Sequence, residues 1–272
     1  PGRFILTPRV PLPASLYFPP PSRARDPQQD DGSFKVSPEG EADARAAYCV
    51  LSVASLLNML TPELTRGCVD FLVSLQGFDG GLGGEPGNES HGGYTFCGVA
   101  ALAILGELPA LALPPLRRWL AARQMNFEGG FQGRTHKLVD SCYSFWLGAV
   151  FRILDGAEES GPTTTTAGVG SASAAGATTP FSGYGFDAAA LQSYVLRYCQ
   201  APGGGLRDKP GKPPDFYHTC YALSGVAVAQ MCGASGEDTE GRLPEVDPVF
   251  NLRVEKVQAM KKYFEVRPLD FA

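Results

Sequence analysis

An all-α chain folded as an α/α toroid follows from three observations. A glycine turn recurs along the chain. Two helical stretches follow each recurrence. The first of each pair is apolar nearly all round, whereas the second is apolar on one face only. Helices of the first kind are buried and those of the second cover a core with one side, so two nested layers are implied, an inner ring inside an outer ring.

The turns are D-G-S-F (31–34), D-G-G-L (79–82), E-G-G-F (128–131) and G-G-G-L (203–206), and their final residues Phe34, Leu82, Phe131 and Leu206 are 48, 49 and 75 positions apart. A period near 50 is read as repeating architecture before anything else. The long third interval holds an insertion, 155–185, rich in Ala, Gly, Ser and Thr and expected to be a flexible surface loop. Residues 1–30 contain eight prolines, which exclude regular helix, and are expected to form an extended or disordered leader ahead of a domain over 31–272.

The first inner helix is expected over 44–60. Thr61-Pro62-Glu63 reads as cap, first-turn proline and first-turn acid of an outer helix striped by Cys68, Phe71, Leu72 and Leu75. The pattern recurs with inner helices over 94–105, 143–154 and 217–231. The outer stripes are Leu116, Trp119 and Leu120; then Leu191, Tyr194, Val195 and Tyr198; then Val254, Val257 and Phe264.

The 272 residues carry a net charge of −5, which argues against a nucleic-acid partner. No apolar run reaches the ~18 residues of a membrane span, and the uncharged stretch 92–106 reads as a buried helix. Seven cysteines, an odd number scattered in apolar segments, fit a reducing, cytoplasmic setting better than a disulfide framework.

Counting from each turn's apolar residue exposes a register. Nine positions on stand Asp43, His91, Asp140 and Asp215; eleven on, Arg45, Gly93, Cys142 and Tyr217; twelve on, Ala46, Tyr94, Tyr143 and His218. Equivalent repeats gather these residues at one mouth of the ring, above apolar and aromatic helix bodies. Asp140, Cys142 and His218 supply carboxylate, thiolate and imidazole, and three mixed ligands with an open fourth position describe a catalytic zinc site. Asp-x-Cys by itself is a weak signal, since most buried cysteines are inert; the shared register with His218 is what raises it. His91, Arg134, Lys137, Tyr143, Lys209 and Lys212 form a candidate anion site near helix N-termini. His136, outside the register, reads as an ordinary loop residue.

The segments G-G-E-P-G-N-E-S-H-G-G-Y-T-F-C-G (83–98), R-Q-M-N-F-E-G-G-F-Q-G-R (123–134), K-L-V-D-S-C-Y-S-F-W (137–146) and D-K-P-G-K-P-P-D-F-Y-H-T-C-Y (208–221) closely resemble the β subunits of protein farnesyltransferases. The resemblance implies a catalytic zinc on Asp140, Cys142 and His218, and a heterodimer with a helical-repeat α subunit. It also implies transfer of farnesyl from farnesyl diphosphate to the cysteine of a C-terminal Cys-a-a-X protein. It further implies diphosphate contacts from His91, Arg134, Lys137 and Tyr143, with Gly92 beside them, and magnesium held with Asp208. Arg45, Tyr48, Gly93, Tyr94, Cys97 and Trp146 become the isoprenoid wall, Tyr217 part of the peptide pocket, and Asp43 and Asp215 supporting rim residues. Tyr221 and Asp208 favour farnesyl over the geranylgeranyl type I relative; a non-catalytic helical scaffold is the alternative from another class. The family barrel has further repeats where this chain has Pro-rich sequence, so a catalytic half that is inactive or insoluble by itself is expected.

Overall fold

The computed structural model describes residues 28–37, 39–159, 185–234 and 241–267. Its helices are α1 (Ala44–Leu56), α2 (Pro62–Thr65), α3 (Cys68–Ser74), α4 (Gly92–Leu105), α5 (Leu113–Ala121), α6 (Tyr143–Glu159), α7 (Ala188–Tyr198), α8 (Phe216–Ala229) and α9 (Val254–Val266). Along the inner layer α1 packs on α4, α4 on α6 and α6 on α8, while α3, α5 and α7 each pack outside the inner helix that follows them. This is the two-layer toroid.

Burial explains the alternation. In α4 nine residues from Gly92 to Leu102 are buried, as its uniformly apolar sequence requires, and Gly106 ends it in the left-handed conformation. In α5 only Leu116, Trp119 and Leu120 are buried. The four turn residues that define the register, Phe34, Leu82, Phe131 and Leu206, all lie in the core.

Several boundaries differ from expectation. Thr61 does cap with its hydroxyl, accepting the Leu64 N–H at 3.3 Å, but the first outer helix breaks in two. Gly67 takes φ 74°, and a Cβ there would stand 3.0 Å from the Cα of Gly32 in the first glycine turn, so the turn presses against backbone where a continuous helix would carry a side chain. The first inner helix stops at Leu56, and Asn58 follows in the left-handed region. Helix α6 runs to Glu159, past the expected start of the insertion; 160–184 lies outside the described residues. Of the expected leader only 28–30 is described, and Gln28 bridges to Phe34 while its amide donates to the Leu64 and Arg66 carbonyls.

The chain after α8 was expected to give only a last striped helix. It also forms a two-stranded hairpin, β1 (Val246–Asp247) on β2 (Leu252–Arg253), before α9. This tail reaches back to the first repeat: α9 packs on α1, and the Tyr48 hydroxyl donates to the Val249 carbonyl at 2.6 Å.

Candidate active site

The register has a simple physical cause. At each ninth position a side chain caps the start of an inner helix, satisfying N–H groups that have no partner within the helix. Asp43 accepts from Arg45 and Ala46, His91 Nδ1 from the Gly93 N–H at 3.1 Å, Asp140 from the Cys142 N–H at 2.9 Å, and Asp215 from the His218 N–H at 2.7 Å.

One of these caps, Asp140, stands in a cluster of possible ligands, and a second, Asp215, supports it from outside. The ligand atoms of Asp140, Cys142 and His218 lie within 4.8 Å of one another, and His218 Nε2 faces Asp140 Oδ1 at 3.4 Å. Asp215 uses one oxygen for the cap and the other for His218 Nδ1, at 2.6 Å. A carboxylate on Nδ1 fixes the proton there and turns the Nε2 lone pair toward the cluster, as outer partners of metal-bound histidines do. Burial pushes the Cys142 thiol well above its usual range, and the Asp140 carboxylate pushes it the same way. Carboxylate, imidazole and sulfur gathered this closely form a donor set that zinc fits.

Beside it lies a cavity of about 300 Å³ lined by His91, Gly133, Arg134, Lys137, Tyr143 and Lys209 together with Leu138 and Asp140. His91 must leave Nδ1 unprotonated to cap α4, so its proton sits on Nε2 and is donated to the Tyr143 hydroxyl at 3.0 Å. Burial, with Arg134 adding to it, lowers the His91 pKa; Tyr143 is pushed up by burial and keeps its phenol proton. A neutral imidazole therefore orients a phenol that has a proton to give. Gly133 makes room for that phenol: a Cβ there would lie 2.0 Å from the Tyr143 ring. The Gly92 N–H donates to the Gly133 carbonyl at 2.7 Å, joining neighbouring repeats at this point.

Lys209 pairs with Asp208 Oδ2, while Asp208 Oδ1 is buried without a hydrogen-bond partner. That orphaned oxygen is suited to a second cation. Lys212 is linked to Lys209 only through the backbone, its N–H on the Lys209 carbonyl at 3.2 Å, and does not line the cavity. His136 sits in the left-handed region of its loop.

The aromatic wall is continuous. Tyr48 meets Phe96 edge-on at 5.2 Å between ring centroids, Phe96 meets Trp146 at 4.9 Å, Trp146 lies over Tyr221 at 4.2 Å, and Tyr221 meets Tyr217 at 4.7 Å. Trp146 Nε1 donates to the Tyr217 hydroxyl at 3.2 Å. Arg45, held by Asp43 and Glu41, lies over Tyr94 at 5.6 Å. Cys97 is buried.

Three features escaped the sequence reading. Phe96 bridges the wall and is fully buried. Glu89 forms an ion pair with Arg134 at 2.9 Å. Glutamines 28, 76, 124 and 200 each bridge to the turn residue of their repeat, and Gln76 and Gln124 hold the chain entering α5 and α7 by accepting the Ala112 and Asp187 N–H groups. The glutamines' own periodicity, six or seven positions before each turn residue, was the available signal.

Comparison with known proteins agrees with this architecture. The family model for the prenyltransferase alpha-alpha toroid domain matches residues 23–252. A protein farnesyltransferase subunit beta of Pisum sativum is 37% identical over 288 residues, covering 87% of this chain and 68% of its own. One of Schizosaccharomyces pombe is 44% identical over 198 residues, covering 72% of this chain and 48% of its own. The chain thus spans about half to two thirds of the length of these relatives. The fold is shared with a Candida albicans protein geranylgeranyltransferase-I complexed with GGPP, at a TM-score of 0.66 and 23% identity over 88% of this chain and 65% of that one. The chain belongs to the prenyltransferase alpha-alpha toroid family, among relatives that are protein farnesyltransferase β subunits.

Proposed function

We propose that this chain is the β subunit of a zinc-dependent protein farnesyltransferase. In this reading it works with an α subunit to move farnesyl from farnesyl diphosphate to the cysteine sulfur of Cys-a-a-X proteins. The observation that carries the reading is the convergence of Asp140, Cys142 and His218 beside a cavity lined by cations, with aromatic surface on neighbouring helices.

The reaction forms a bond between the acceptor sulfur and C1 of the isoprenoid and breaks the C1–oxygen bond, whose electron pair leaves with the diphosphate. Asp140, Cys142 and His218 would hold zinc, which when bound would supply a Lewis acid able to keep an acceptor thiol ionised near neutral pH. The residues of the chain do the rest. Arg134, Lys137 and Lys209 oppose the charge that builds on the leaving group, and Tyr143, oriented by neutral His91, donates its phenol proton in a hydrogen bond to a phosphate oxygen. The buried oxygen of Asp208 would hold magnesium carried by the diphosphate. The wall from Tyr48 to Tyr217 lays the apolar chain in one direction so that C1 reaches sulfur.

The test pairs zinc content with transfer. The parent protein is expected to bind one zinc ion per chain. Cys142→Ala and His218→Ala should lose it, and Asp215→Ala should weaken zinc binding by about 10- to 100-fold, since only the orienting partner is gone. With an α subunit and a Cys-a-a-X peptide, farnesyl transfer should follow zinc occupancy. A zinc-loaded pair that transfers no prenyl group would overturn the reading, and a preference for geranylgeranyl diphosphate would move it to the neighbouring activity.

A further inference from the structure

Three cations line the cavity beside the metal ligands, and two of them already have carboxylate partners. Lys209 is held by Asp208, and Arg134 Nη1 by Glu89 Oε2 at 2.9 Å. The two pairs differ in character. Asp208 and Lys209 are mostly buried, whereas the side chains of Arg134 and Glu89 are 40% and 56% exposed. An exposed ion pair is weakly held and easily exchanged.

The backbone carrying Glu89 is anchored on its far side. Ser90, itself buried, donates to Asp79 at 2.5 Å, and the His91 N–H donates to the Leu82 carbonyl at 3.0 Å. Glu89 thus projects from a fixed base toward a cation of the next repeat, 45 positions along the chain. Arg134 cannot give its full charge to an incoming anion while this pair persists.

We propose that Glu89 is a placeholder anion: it holds Arg134 while the cavity is empty, gives way to the phosphate groups of a diphosphate, and returns as they leave. It therefore weakens the binding of both a prenyl diphosphate and the released diphosphate, and it speeds release. The inference rests on the proposed function only for the identity of the ligand, and inorganic pyrophosphate tests the cavity without any isoprenoid.

The experiment is calorimetric titration of the full chain with inorganic pyrophosphate, without added magnesium. It compares the parent with Glu89→Gln, Arg134→Gln, the double variant, and Glu85→Gln, which removes an equal charge from the same loop. Glu89→Gln should tighten binding by about two- to five-fold, the range of an exposed ion pair. Stopped-flow displacement should show slower release from it. Glu85→Gln should change binding less, and the gain should vanish in the Arg134→Gln background. An equal gain from Glu85→Gln, a gain that survives without Arg134, or no gain at all overturns the placeholder role. Failure of prenyl transfer with pyrophosphate binding behaving as described would sink the proposed function and leave the placeholder standing.

Discussion

At the scale of single residues, the site is built from groups that each hold two partners. His91 accepts a backbone N–H with one nitrogen and meets Tyr143 with the other, so it has to be neutral to do both. Its pKa is lowered in the fold by burial first and by Arg134 second. The unfolded chain therefore binds the proton more readily, and stability rises with pH through the interval between the folded value and the unperturbed one, about 6.5. The contribution is complete above that unperturbed value and is lost as pH falls through the interval below it. Chemical denaturation from pH 7 to pH 5 should show this acid-side loss in the parent and a smaller one in His91→Asn, whose amide can still cap. An unchanged slope would mean that the imidazole is not the group titrating.

At the scale of elements, the inner helices act as rulers. Asp140 and Cys142 precede α6 and His218 lies in the first turn of α8, so the spacing of these two helices sets the spacing of the three candidate ligands. Gly225 is the pinch between them: a Cβ there would meet Ser144 Cβ at 2.3 Å and the Phe145 nitrogen at 2.9 Å. Alanine gains about 1 kcal/mol over glycine in helix propensity, but an overpacked crossing against backbone costs about 1–3 kcal/mol, so the clash wins. Gly225→Ala should lower the midpoint of thermal unfolding and weaken zinc binding although it touches no ligand; unchanged zinc affinity would show that the helices adjust independently. The repeat, the alternation of helix types and the ligand register were all legible because each leaves a periodic trace in the chain. The break at Gly67 was not, because its cause is Gly32, distant in sequence, and neither was the role of Phe96, whose aromatic neighbours come from two other helices, α1 and α6. The pairing of Glu89 with Arg134 had no periodic trace at all.

At the scale of the whole molecule, the tail after α8 returns to the first repeat, so α1 and the hairpin loop between β1 and β2 are joined by Tyr48 and Val249 across 201 positions. Within that frame the four caps bear on what happens when metal is removed. Asp140 already receives a backbone N–H, and Asp215 already holds both a backbone N–H and the imidazole, so stripping an ion leaves neither carboxylate bare. Both carboxylates are placed by the chain's own hydrogen bonds. Chelation should therefore leave the helical circular dichroism spectrum intact and lower the unfolding temperature only by the share due to linkage with the bound ion, in contrast to small zinc modules that unfold without metal. Collapse of the spectrum on chelation would show that the ion holds the ring together. A socket of this kind could be emptied, refilled or offered a different metal with the surrounding architecture unchanged, which would make a bound ion an exchangeable component and not part of the skeleton.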